Sequence, residues 1–367
     1  MNTSSDTSKS KRVVVWGTGN VGRPAIRAVL AHADLELVGV VVANPDKVGL
    51  DAGTIAGCPA CGVVATDNWR ELLEQGTDAV VYTASADTRG EAAFVELLAC
   101  LGAGANVVST SFYPLLYPRG RFAIKDAIDP VLASCQQSGA SVFISGIDPG
   151  WAMDMLPIVL SGVVSGIEQI RMQEIFNYAL YDAPDIVRDV IGFGRPMAEL
   201  PQMLDDFALK MVWAPMVEIV SEALSWPLDD IDTVVERRPL GQTIEVDGMG
   251  RFEAGTQGAF RFEVRGMCKG KPVIVVEHIT RIDDQCAPDW PYPAGGGGCH
   301  QLKITGNPNL TVSMHGDDPV EPGPAGGGNC SAANRIVNAI PAVCAAPAGI
   351  VTPLDLPLIS GSAQIVR

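Results

Sequence analysis

The stretch Val13-Val14-Val15-Trp16-Gly17-Thr18-Gly19-Asn20-Val21-Gly22-Arg23 constrains this chain more than any other. An apolar run breaks into three glycines at G-x-G-x-x-G spacing, and Ala25, Ile26, Val29 and Leu30 then recur at helical intervals. A buried strand, a tight turn and an amphipathic helix, in that order, open a dinucleotide-binding βαβ unit. Gly17 makes the turn, Gly19 lets backbone approach a pyrophosphate, and Gly22 lets the helix pack on the strand. The helix N-terminus adds free N–H groups and the positive end of its dipole.

The pattern then repeats. Residues 35–42 form a near-continuous apolar run, as a parallel strand buried on both faces requires. A short strand follows at 62–65, a short helix at 68–75, a strong strand at 79–83, a helix at 91–101, a strand at 106–109, a helix at 130–137 and a strand at 141–145. Alternation of this kind predicts an α/β fold with a doubly wound parallel sheet. After Gly146-Ile147-Asp148-Pro149-Gly150-Trp151 the character changes. A helix to about residue 160 and a strand at 169–175 lead into a helix-rich section punctuated by Pro196, Pro201 and Pro215. Strands then recur without intervening helices at 256–264, 272–278, 301–304 and 310–314, which predicts an α+β domain on a mixed or antiparallel sheet. Loops rich in Pro and Gly occupy 283–298 and 317–328, a helix covers 331–339, and the apolar, Pro-broken stretch 341–357 is expected to pack back onto the domain cleft. The resulting division is a disordered lead-in at 1–11, a dinucleotide-binding domain at 12–155, a substrate domain at 156–329 and a returning C-terminal segment at 330–367.

A formal charge of −16 opposes binding to phosphate polymers, so nucleic acid is not an expected partner. No stretch reaches the ~18 uninterrupted apolar residues of a membrane span, and the polar N-terminus has no apolar core of a signal peptide. A cytoplasmic protein with a small-molecule substrate is the expectation. Nine cysteines, an odd number spread over a long chain, argue against a disulfide framework. Cys58-Pro59-Ala60-Cys61 has the spacing of a redox or zinc knuckle, but Cys286 and Cys299-His300 are distant partners, so the pair reads as a turn with two small thiols and no metal is assigned.

In a doubly wound sheet the ligand lies beyond the C-terminal strand ends. After the second strand come Asn44 and Lys47, with no Asp or Glu at the strand end to grip a ribose 2′-OH. With Arg23 behind the glycine loop, they suit a 2′-phosphate, which favours NADP over NAD; the competing reading leaves Lys47 a solvated loop charge. Ala84 and Ser85 follow the next strand, and Thr110 the one after. The catalytic cysteine of thioester-forming aldehyde oxidation is missing from Ser109-Thr110-Ser111-Phe112-Tyr113. Asp148 reads either as a helix cap or as a carboxylate that exchanges a proton. Tyr178, Tyr181 and Asp182 follow a strand, and His278 closes another, as a hydrogen-bonded core residue or a site residue.

Several motifs carry a resemblance over nearly the whole chain after residue 11. They are the glycine loop, Gly146-Ile147-Asp148-Pro149-Gly150-Trp151 with Asp154 and Leu156-Pro157, Glu174-Ile175-Phe176-Asn177-Tyr178, Gly192-Phe193-Gly194, Gly255-Thr256 with Arg261-Phe262-Glu263-Val264, Glu277-His278-Ile279-Thr280-Arg281 and Asn338-Ala339-Ile340-Pro341-Ala342-Val343. The chain resembles the dihydrodipicolinate-reductase-like proteins that include 2,4-diaminopentanoate dehydrogenase and NAD(P)-dependent amine dehydrogenases. The resemblance implies a Rossmann domain, a C-terminal substrate and dimerisation domain, a homodimer, and hydride transfer between nicotinamide and a C=N carbon. It also implies a site between domains at Asp148, Tyr178, His278 and Thr352. Two departures stand out. The His-His-x-x-x-Lys motif of true dihydrodipicolinate reductases is absent, with His278 standing alone, and the family glutamate after the strand near Thr110 is replaced by Ser111-Phe112-Tyr113-Pro114. The position before Pro-Gly, commonly Asn in the family, is Asp148.

The expectation is an NAD(P)H-dependent oxidoreductase acting on an imine or amine. Asp148 exchanges the proton on nitrogen, Tyr178 or His278 orients the substrate, and Phe112, Tyr113, Trp151 and Thr352 line the pocket. Gly17, Thr18, Gly19, Asn20, Val21, Gly22, Arg23, Asn44, Lys47, Ala84, Ser85 and Thr110 hold the dinucleotide. A C=O or C=C reductase using a Tyr or water proton, and a nucleotide-binding protein without turnover, are the alternatives.

Overall fold

The structure is a computed structural model that describes residues 10–86, 89–181, 183–293 and 295–366. Most of the expected lead-in and Asp182 lie outside the described residues, and Lys11 already belongs to the first strand. The first half reads β1 (Lys11–Trp16), α1 (Gly22–Ala31), β2 (Leu35–Val41), α2 (Ala52–Ala56), β3 (Ala65–Thr66), α3 (Trp69–Glu74), β4 (Ala79–Tyr82), α4 (Gly90–Gly102), β5 (Asn106–Ser109), α5 (Lys125–Ser138) and β6 (Ser141–Ile144). Seven strands form one sheet in the order Gly349–Val351, β6, β5, β4, β1, β2, β3, with every pairing parallel. Strands β1, β4 and β6 are apolar and buried almost throughout because helices cover both faces of such a sheet. All strands point the same way, so Trp16, Val41, Tyr82 and Ser109 end at one edge.

The second half comprises α6 (Met155–Ser161), β7 (Ser165–Asn177), α7 (Asp206–Ala223), β8 (Asp230–Pro239), the hairpin β9 (Ile244–Val246) and β10 (Gly250–Phe252), β11 (Gln257–Cys268), β12 (Lys271–Arg281), β13 (Gly298–Asn307) and β14 (Leu310–Met314). Then come α8 (Pro324–Ala345) and the edge strand β15 (Gly349–Val351). A six-stranded sheet runs in the order β14, β13, β7, β12, β11, β8; β7 and β12 are parallel and the other pairs antiparallel. Helix α7 packs on the face formed by the even-numbered residues of β11: Trp213 meets the Phe262 ring at 4.7 Å, and a Cβ at Gly266 would stand 2.7 Å from Val217.

The opposite face carries charge. Arg171 of β7 reaches Glu263 at 2.7 Å and the buried Glu277 at 2.6 Å, Arg261 reaches Glu277 at 2.6 Å, and Gln173 donates to Glu277 at 2.9 Å. Alternation along the strands places the whole network on one side of the sheet. Glu277 is only 1% exposed, and two guanidiniums and one amide satisfy its oxygens.

Chain contacts group residues 1–116, 125–146 and 332–367 into one unit, and 117–124 with 147–331 into another. The longer stretch of the second unit thus begins at Ile147, and residues 117–124 join it. Glu218 and Glu222, one turn apart on α7, cause this. Glu222 accepts from Tyr117 and Arg119, while Glu218 accepts from the backbone N–H of Arg121. The C-terminal stretch from Ala332 belongs to the first unit, where β15 extends the sheet beside β6 and Ser141 donates to the Pro347 carbonyl.

Three local expectations change. Pro215 lies inside α7, whose buried face of Leu209, Trp213, Met216, Val217 and Val220 outweighs the ~3 kcal/mol cost of an interior proline. Strand β8 is hidden in the sequence because Asp232, Glu236 and Arg238 occupy its charged-network face in place of apolar residues. Helix α8 begins at Pro324, inside the expected loop at 317–328, because glycines let a neighbouring segment lie against it: a Cβ at Gly327 would meet the Gly316 carbonyl carbon at 2.1 Å. His32, just past α1, is buried and accepts the Asp34 N–H on Nδ1.

The turn after β1 behaves as its spacing demands. Gly17 has φ of 102°, and a Cβ on Gly22 would sit 2.1 Å from the Gly17 carbonyl oxygen, whereas one on Gly19 would meet nothing within 4 Å. Gly22→Ala is therefore expected to destabilise the protein by about 1–3 kcal/mol through overpacking. Gly19→Ala should stay within about 0.5 kcal/mol of the parent. Urea denaturation of the two variants checks the contrast.

Candidate active site

The second unit gathers its titratable groups at one level of the six-stranded sheet. Glu174 on β7 is the direct cross-strand partner of His278 on β12 and of His300 on β13, so three side chains from adjacent strands share one face. The same row continues to Phe262 on β11, whose ring stacks on the His278 imidazole at 4.5 Å and 14°. Trp213 of α7 closes over this row, edge-on to His278 at 4.9 Å.

Asp148 enters from the segment after β6. Its Oδ1 accepts the Trp213 indole N–H at 3.0 Å, and its Oδ2 lies 2.8 Å from His278 Nε2. That second contact is an ion pair, and neither atom has any other hydrogen-bond partner. Asp148 does not cap a helix; Asp154 does that for α6 by accepting the Met155 N–H. The Asp148 side chain is fully buried.

Glu174 anchors the group. Its Oε1 accepts the Tyr178 hydroxyl at 3.0 Å and stands 3.5 Å from His278 Nδ1, while its Oε2 stands 3.6 Å from His300 Nε2. Burial alone would raise its pKa, but His278 and His300 beside it hold the carboxyl well below the usual range. For His278, burial would lower the pKa; the carboxylates of Asp148 and Glu174 more than offset it and lift the imidazole to about 10. Burial first, then the charge of Glu174, pushes the Tyr178 phenol well above its ordinary value. The site is thus two buried carboxylates bridged by a charged imidazole, with a phenol donating into it.

In the fold a second histidine, His300, flanks the same glutamate as His278. Glu174, His300 and Trp213 were not among the expected site residues. Alternation offered one signal, because Ile170, Met172, Glu174 and Phe176 share a face of β7 and a carboxylate among apolar core positions implies a buried partner. Nothing in the sequence puts His300 opposite it, since that requires the register of two strands more than a hundred residues apart.

The expected dinucleotide residues lie in the first unit at the C-terminal edge of its sheet. Gly17 to Arg23 span the turn and the start of α1, with the Arg23 N–H bonded to the Gly19 carbonyl. Thr83 donates to the Trp16 carbonyl, and Ser111 donates to that of Ala84, which ties the ends of β4 and β5 to the loop they flank. Ser85 and Thr110 occupy the same edge. Asn44 spends its side-chain oxygen on the Asp46 N–H of a short turn. Lys47 reaches back to the glycine loop, its Nζ donating to the Thr18 carbonyl at 3.1 Å and Oγ1 at 3.2 Å. The open space at Gly19, the tight Gly17–Gly22 packing and an ammonium held at Thr18 together fit a dinucleotide phosphate.

Among the expected pocket residues, Phe112, Tyr113 and Thr352 belong to the first unit and Trp151 to the second. Phe112 is buried at φ 66° with its ring 5.0 Å from Tyr82, and Thr352 is buried with its hydroxyl on Asp355 at 2.6 Å.

Residues 11–111 match the dihydrodipicolinate reductase N-terminus, and residues 151–367 match the 2,4-diaminopentanoate dehydrogenase C-terminal domain. An amine dehydrogenase of Streptomyces virginiae is 47% identical over 94% of this chain and 96% of its own length. The 2,4-diaminopentanoate dehydrogenase of Acetoanaerobium sticklandii is 22% identical over 97% of this chain and 99% of its own. The solved amine dehydrogenase of Mycobacterium smegmatis shares the fold, with a TM-score of 0.74 at 24% identity, covering 97% of this chain and 98% of that one. The chain belongs to the 2,4-diaminopentanoate dehydrogenase family of NAD(P)-binding oxidoreductases, in which a Rossmann-type domain precedes a mixed-sheet C-terminal domain.

Proposed function

We propose that the protein interconverts a small primary amine with the corresponding carbonyl compound and ammonia. The observation that carries this reading is Asp148 Oδ2, an acceptor in a fully buried side chain, paired with an imidazolium and with no other hydrogen-bond partner. When bound, the nicotinamide takes the hydride from the amine carbon or returns it to the imine. The protein's own residues handle nitrogen. An amine gives up hydride from its carbon only as the free base, so a carboxylate within hydrogen-bond reach must first remove a proton from the ammonium. Asp148 does this, oriented by Trp213, and returns the proton in the reverse direction. Glu174 keeps His278 in place and Tyr178 fixed, and these two orient the substrate. Asp148 in this role stands in for the family glutamate that Ser111-Phe112-Tyr113 lack.

Tyr178 argues against the carbonyl-reductase alternative. Its hydroxyl already donates to Glu174 and its pKa is raised, so it is a poor proton donor to a ketone oxygen. The first unit is the cofactor unit and the second the substrate unit in this reading. Lys47 at Thr18 favours NADP, the protein acts as a homodimer, and its compartment is the cytoplasm.

With a panel of ketones and NADPH, oxidation of the cofactor is expected only when ammonium is present; equal rates without ammonium would return the ketone-reductase reading. Asp148→Ala should lower kcat by about 10²–10⁴ while cofactor affinity stays within error. Lys47→Ala should weaken NADPH binding by about tenfold or more and leave NADH unchanged, since only the 2′-phosphate loses a charged partner. Sedimentation should give twice the 38.6 kDa chain mass.

A further inference from the structure

The geometry points to a second ligand for the same cluster: we propose that Asp148, Glu174 and His300 form a binding site for one Zn²⁺-class transition-metal ion. One oxygen or nitrogen from each lies within 4.8 Å of the others. Tetrahedral zinc bonds of about 2.0–2.2 Å place a metal's ligands about 3.3–3.6 Å apart, so side-chain movements of about 1 Å complete the set.

Two further observations separate this from an ordinary polar cluster. First, each carboxylate has one oxygen engaged and one turned inward. Trp213 occupies Asp148 Oδ1 and Tyr178 occupies Glu174 Oε1, whereas Glu174 Oε2 faces His300 and Asp148 Oδ2 is held only by the His278 imidazole at 2.8 Å, which a bound ion displaces. Donors on the outer oxygens are the arrangement that orients metal-ligating carboxylates. Second, His300 is 5% exposed, and its Nε2 has no hydrogen-bond partner, the nearest carboxylate oxygen being 3.6 Å away. A buried ring nitrogen aimed at two carboxylates without bonding either is incomplete as hydrogen bonding and complete as ligation.

The donor set selects the ion. One imidazole and two carboxylates suit Zn²⁺, Co²⁺ or Ni²⁺, while Mg²⁺ and Ca²⁺ require more oxygen ligands or retained water. Three protein ligands leave a fourth position open. Since Asp148 Oδ2 is a ligand, a bound ion takes the place of the amine nitrogen. Zn²⁺ then inhibits in competition with amine and not with cofactor; this consequence rests on the amine reading, whereas binding itself does not.

The test uses the full chain, stripped with chelator and titrated with ZnCl₂ by calorimetry without substrate or cofactor. One ion per chain is expected, with affinity reduced at least about tenfold in His300→Gln and in Glu174→Gln. The double variant Cys58→Ser with Cys61→Ser should bind as the parent does. Co²⁺ absorption of the unaltered protein supplies a readout independent of any variant: d–d bands without a thiolate charge-transfer band are expected. No saturable binding, a thiolate band, or loss of binding only in the cysteine variant overturns the proposal. Zinc binding without amine turnover would refute the amine reading and leave the metal site standing; turnover without zinc binding would do the reverse.

Discussion

Glu174 sits at the centre of the second unit's chemistry because β7 sits at the centre of its sheet. Antiparallel pairing on one side and parallel pairing on the other bring His300 and His278 to the same level as its carboxylate. A buried carboxylate is tolerable only when its charge is balanced and its oxygens are occupied. Two imidazoles and the Tyr178 hydroxyl meet that demand, and the imidazole of His278 then carries the influence on to Asp148. Removing Glu174 would leave the histidines without their common partner.

The two faces of this sheet solve the same problem in different ways. Behind the site, Glu277 is matched by two guanidiniums and an amide, so its charge is spent on structure. On the site face Asp148 and Glu174 flank the His278 imidazole, and beyond that ion pair Asp148 Oδ2 has no hydrogen-bond partner. Neighbouring residues of one strand thus differ: both Glu277 oxygens are filled, whereas His278 Nε2 has only the ion pair with Asp148. The pleat sends them to opposite sides. Chemistry is expected where saturation is incomplete, because an unsatisfied buried acceptor favours any ligand that completes it.

Legibility followed interaction range. The first unit was readable because each of its signals is local: apolar runs bounded by turns, the glycine spacing, and helices of ordinary length between strands. What was misread there and in the second unit involved packing between distant segments. Pro215 and Pro341 looked like helix breaks and are interior to α7 and α8, where burial outweighs the local penalty. The charges of β8 read as part of a helix-rich section and the glycines of α8 as loop because their partners, a neighbouring strand's network and a close backbone approach, are not written beside them. Cys58 and Cys61 remain a half-exposed turn of reduced thiols.

From sequence alone came the βαβ opening, the doubly wound sheet, the change of fold class after residue 151 and the candidacy of Asp148, Tyr178 and His278. Each rests on residue type and spacing within about a dozen positions, the distance over which backbone periodicity and turn chemistry act. Tertiary structure alone decided that Asp148 meets His278 and Trp213 instead of capping a helix, that Lys47 returns to Thr18, and that His300 faces Glu174. Those pairings depend on strand register and on α7 lying over the sheet. Register is a cooperative outcome of burying one face of six strands together, and no single stretch of the chain contains it.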